Sequence, residues 1–85
     1  MENRVALIGI VVEDFDKVGE LNALLHDYGD YIIGRMGLPY KKRDVSIISI
    51  AIDAPEDVVN SLSGKIGKIK GITSKTLYAK LKEEQ

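Results

Sequence analysis

Two eight-residue runs constrain this chain more than anything else in it: Val5-Ala6-Leu7-Ile8-Gly9-Ile10-Val11-Val12 and Val45-Ser46-Ile47-Ile48-Ser49-Ile50-Ala51-Ile52. Each is apolar, rich in β-branched residues and too short for an ordinary helix, which reads as a buried strand. Successive side chains on a strand point to opposite faces. The first run therefore sets Ala6, Ile8, Ile10 and Val12 against Val5, Leu7, Gly9 and Val11, and the second sets Ile48, Ile50 and Ile52 against Val45, Ile47, Ser49 and Ala51. Both sides of both strands are largely apolar, so a sheet built on them has two faces to cover.

From Phe15 the apolar period changes. Phe15, Val18, Leu21, Leu25 and Tyr28, with Leu24 beside them, fall at three- and four-residue steps and predict a helix capped by Asp14 and stopped at Gly29. Residues 31–38 return to strand-like content; Gly34, Gly37 and the Pro39 that ends the run suit an edge strand with a bulge. Lys41, Lys42 and Arg43 mark a solvated hairpin tip between Tyr40 and Asp44. Asp53 then caps a second helix, with Pro55 in its first turn, Glu56 at the capping-box position, Val59, Leu62 and Ile66 as its inner stripe and Gly67 at its end. Residues 72–81 form a last strand bearing Lys75 and Lys80, before a polar tail over 82–85.

The order is βαββαβ in two similar halves without a linker, so residues 1–85 are expected to form a single domain. That order predicts an α+β, ferredoxin-like sandwich: a four-stranded antiparallel sheet with two helices on one face, the first and third strands central and the Gly-, Pro- and Lys-bearing second and fourth at the edges. Two helices cover one face only. The other leaves an apolar patch of roughly several hundred Å², which monomers seldom expose. The expectation is a homodimer or a dimer of dimers, formed through the sheet face or by pairing of edge strands, with Val5, Leu7, Val11, Val45, Ile47 and Ser49 at the interface. A domain of 85 residues buries only about 60 to 65% of its unfolded surface, so association also supplies needed burial.

Composition removes several functions. With no cysteine there is no disulfide, thiolate chemistry, iron–sulfur ligation or usual structural zinc. His26, the single histidine, reads as a surface residue that suits a helix C-terminus, so neither a metal nor a cofactor is expected. A net charge of −1 argues against direct nucleic-acid binding as the chain's main task. The apolar runs are far short of the roughly 20 residues that cross a bilayer, and no cleavage signal follows Arg4, so the expected location is cytoplasmic. No Ser, His and carboxylate spacing suggests catalysis, and the chain is read as a non-enzyme. Other functions of this topology fail on particular residues: the central strands carry no stacking aromatics for RNA, and Glu13-Asp14-Phe15-Asp16 would repel a phosphate.

Asp16-Lys17-Val18-Gly19-Glu20-Leu21 resembles the Asp-x-x-Gly-x-Leu signature of ACT-type regulatory domains, with Val18 where proline is common. That resemblance implies a loop at a subunit interface where small effectors, often amino acids, bind, and it places Asp16, Val18, Gly19 and Glu20 there. Glycine permits close backbone approach, and amides at a helix start meet a ligand carboxylate; Gly19 as a packing point is the alternative. Residues 28–40, 47–50, 62–67 and 70–72 together resemble the ACT-like iron-only hydrogenase system regulator family, related in fold to the C-terminal domain of the nickel-responsive regulator. Gly34-Arg35-Met36-Gly37-Leu38-Pro39-Tyr40 is its most distinctive part. The resemblance implies a regulatory role, although the chain has neither that regulator's histidine and cysteine nickel ligands nor a counterpart of its ribbon-helix-helix segment. Arg35, with Met36 and Gly37, completes the expected effector site: a guanidinium between glycines can hold a carboxylate bidentately, or else pairs with Asp30 or Glu13 or stabilises an edge contact. The whole reads as a self-associating regulator responding to a small effector or a partner protein; the alternative is a structural association module with no ligand of its own.

Overall fold

The computed structural model describes residues 2–80. The expected end of the last strand at Leu81 and the polar tail over 82–85 lie outside the described residues. Strand β1 (Asn3–Val12) leads through a 3₁₀ turn (Phe15–Lys17) into helix α1 (Val18–Asp27), and a second 3₁₀ turn (Gly29–Tyr31) precedes β2 (Ile32–Tyr40). The chain returns as β3 (Val45–Pro55) and continues through α2 (Glu56–Gly67) to β4 (Ile72–Tyr78). The sheet order is β2-β3-β1-β4, with every neighbouring pair antiparallel. This is the ferredoxin-like α+β fold expected from the order of elements, with the two apolar runs at its centre.

Register explains the core. Ala6 lies opposite Ile52, Ile8 opposite Ile50 and Ile10 opposite Ile48, so the two strands set their branched side chains on the helix side together. All six are buried, as are Leu21 and Leu25 of α1 and Val59, Leu62 and Ile66 of α2. Complete burial of a side chain of this size contributes about 1.5–3 kcal/mol, which makes this layer the main source of the fold's stability.

Four local expectations fail for physical reasons. Phe15 is exposed because it falls in the 3₁₀ turn, whose three-residue period puts it out of phase with the α-helical stripe. Asp53 does not cap α2: it sits opposite Val5 in the sheet ladder, β3 runs on to Pro55, and Pro55 occupies the cap position without a side-chain bond. Pro39 does not end β2 but pairs with Ser46, since an edge strand tolerates a residue that cannot donate outward. Gly29 opens the second 3₁₀ turn, and Tyr28 ends α1 instead. The bulge expected in β2 is present between Ile32 and Gly34. Gly71 ties the connection between α2 and β4 to the one that follows β1: its carbonyl accepts from Glu13 N at 2.7 Å, and its φ of 83° is a left-handed conformation that suits glycine.

Candidate functional site

The sheet face turned away from the helices is an exposed, mostly apolar surface assembled by the strand register. Gly34, Ala51, Leu7 and Leu77 form one cross-strand row, Met36, Ser49, Gly9 and Lys75 the next, and Leu38, Ile47, Val11 and Thr73 a third. Met36 and Leu77 are each 69% exposed and Leu38 63%. Among the described residues of the four strands, Asp53 and Lys75 are the charged positions on this face. The surface also has relief. Leu7 stands between two shallow hollows, one of about 360 Å³ bounded by Gly34, Met36, Ser49 and Ala51, the other of about 190 Å³ bounded by Val5, Ala51, Leu77 and Ala79.

Val5, Leu7, Val11, Val45, Ile47 and Ser49, expected at an interface, all lie on this face. Sequence reasoning gave Met36 to the effector site and missed Leu38, Tyr40 and Leu77; all four extend this face across both edge strands. The signal for the three β2 residues was the alternation Gly34, Met36, Leu38, Tyr40, whose phase depends on the bulge after Ile32 and is masked by the intervening glycine and proline.

The structure divides the expected effector residues. Arg35 lies opposite Ile50 and so points to the helix side, whereas its neighbour Met36 lies opposite Ser49 on the bare face. The Arg35 guanidinium donates from Nη2 to Asn22 Oδ1 of α1 at 3.0 Å, in place of the expected pairing with Asp30 or Glu13. Gly37 lies opposite Ile48, on the same side as Arg35. Asp16, Val18, Gly19 and Glu20 sit at the other end of α1, where Asp14 Oδ1 accepts from Asp16 N at 3.0 Å and Lys17 stands 4.0 Å from Glu20. A side chain added at Gly19 would meet nothing within 4 Å, so no contact within the subunit demands glycine there. These four residues line neither of the two hollows that Arg35 borders, one on the bare face and one beside α1.

A polar seam fastens the helix layer. Arg4 bonds Glu56 at 3.3 Å and lies 4.3 Å over the Tyr78 ring, whose hydroxyl donates to Asn60 at 2.6 Å. Thr76 donates to Ser63 at 3.0 Å, and the Tyr28 and Ser61 hydroxyls are 3.1 Å apart. Desolvation, and then the Glu56 carboxylate, raise the pKa of the Tyr78 phenol. Among the described residues no three His, Cys, Asp or Glu side chains converge to hold a metal ion, and no helix is long and apolar enough to cross a membrane.

Comparison with known proteins agrees with this architecture. The solved structure of protein TM1266 from Thermotoga maritima superposes with a TM-score of 0.88 at 36% identity, covering 93% of this chain and 100% of that one. No curated protein matches with significance. Residues 4–76 match the TM1266-like family model, described as "Iron-only hydrogenase system regulator, putative". Matched over most of its length in sequence and in three dimensions, the chain belongs to the TM1266-like family.

Proposed function

We propose that this protein is a cytoplasmic regulator within an iron-only hydrogenase system, acting on transcription or through a partner protein, and that it works as a homo-oligomer holding a small effector. The observation that carries the reading is the bare sheet face, apolar across all four strands and bordered by few charges. Four strands about 4.8 Å apart and eight residues of about 3.3 Å give it roughly 500 Å² in projection. Its accessible area is larger because the surface is corrugated, and it approaches the roughly 800 Å² per partner that a stable interface buries. A second copy is the occupant that fits. The face offers both a ridge at Leu7 and hollows beside it, so one two-fold operation can seat each ridge in the other's hollow. The family's description supplies the regulatory role.

The effector reading rests on β2. Arg35 and Met36 are adjacent and face opposite sides, so a ligand that shifts β2 from the helix side also shifts a residue of the association face. In an oligomer, Asp16, Val18, Gly19 and Glu20 would be completed by a neighbouring subunit, since open space surrounds Gly19. Sedimentation of Met36→Glu and Leu77→Lys variants tests the assembly. Each variant should sediment at a smaller mass than the wild type under conditions where the wild type associates. Unchanged masses for both would refute the face.

A further inference from the structure

We propose that the cleft between the last turns of α1 and the start of β2 binds a small organic carboxylate with a short alkyl body. The assignment deepens the regulatory reading and rests on it for its purpose. The cleft, about 280 Å³, is lined by Asn22, Leu25, His26, Gly29, Ile32 and Arg35. Three of these carry polar heads, and no carboxylate is among the lining residues. Among the described residues the two ion pairs are Arg4 with Glu56 and Lys17 with Glu20, so no described acid lies within 4.0 Å of the Arg35 guanidinium. Its bond to Asn22 Oδ1 fixes its position over the cleft and uses the acceptor of that amide, leaving the amide NH₂ as a donor. His26 offers an N–H in either charge state.

The polar side chains lining the cleft can thus supply donors: a planar guanidinium fork, an amide NH₂ and an imidazole N–H. Such a set recognises an acceptor-only group, and the fork matches the two oxygens of a carboxylate. Buried Leu25 and half-buried Ile32 supply an apolar floor that a hydrated inorganic ion would not use. The volume lies just below the range of drug-sized pockets, which limits the ligand to a few carbons beyond its carboxylate. The space beside Gly29 is open, since a side chain there would meet nothing within 4 Å.

The test is a titration of the ¹⁵N-labelled full chain with 3-methylbutyrate, with its amide 3-methylbutyramide and with inorganic phosphate as separate arms. Saturable shifts at the Asn22 side-chain amide, His26 and Arg35 with the carboxylate are expected, together with no saturation by the amide. Arg35→Gln should raise the dissociation constant by about tenfold or more, as expected when a charge-assisted bond is lost. Absence of saturation by the carboxylate, saturation by phosphate alone, or an unchanged constant in Arg35→Gln would each overturn the assignment. Repeating the titration on Met36→Glu separates the two proposals: carboxylate binding that persists while association is lost supports the cleft, whereas wild-type association that Met36→Glu abolishes, with no carboxylate binding by either chain, refutes the cleft and leaves the sheet face standing.

Discussion

At the scale of single residues, the contacts with most consequence are those joining elements distant in sequence. Tyr78 donates to Asn60 at 2.6 Å, so Tyr78→Phe should cost about 1 kcal/mol, measured by urea unfolding at fixed protein concentration. Its pH dependence has a definite sign. The folded pKa is raised above the ordinary 10.0, so the contribution is present below that value and lost as pH rises through the folded pKa. The Tyr78 contribution should therefore decline above about pH 10, read as the difference in unfolding free energy between the wild type and Tyr78→Phe across that range. Gly71→Ala meets two obstacles, a φ of 83° and an Asp14 Cβ that would lie 2.8 Å from the new methyl. The cost should exceed about 1 kcal/mol by the same measurement.

At the scale of elements, the helix layer and the bare face should respond differently to truncation. Leu62→Ala leaves a cavity under α2 and should destabilise the subunit by about 2–5 kcal/mol. Leu38→Ser removes apolar surface from an exposed edge position and should leave the subunit's fold intact while weakening its self-association, as circular dichroism and sedimentation would report together. How well each element could be read from the sequence follows the same division. β1, β3 and the inner stripe of α2 were legible because their periodicity is unbroken and burial enforces it. The cap of α2 was not, because the ladder partner that holds Asp53 in β3 is Val5, remote in sequence. The face of each β2 residue was not legible either, since one bulge residue reverses every side chain after it. For the same reason Arg35 could be chosen as a ligand contact from its glycine neighbours, while its partner Asn22 and the cleft with His26 appear only once α1 is docked beside β2.

At the scale of the whole molecule, the account depends on a sheet with more apolar surface than two helices can cover. The two helices cover one side of β1 and β3 and leave the other bare; the second copy proposed to dock there would bring Met36 of β2 into an interface one residue away from the Arg35 cleft. On these two proposals sensing and assembly would share a strand, and a ligand on the helix side would shift the association equilibrium only by its difference in affinity for the two states. Sedimentation velocity over a wide range of protein concentration tests the central claim most directly. The account predicts a species of at least twice the chain mass at micromolar concentration, reduced to the single chain by Met36→Glu. A single-chain mass persisting to millimolar concentration would contradict it.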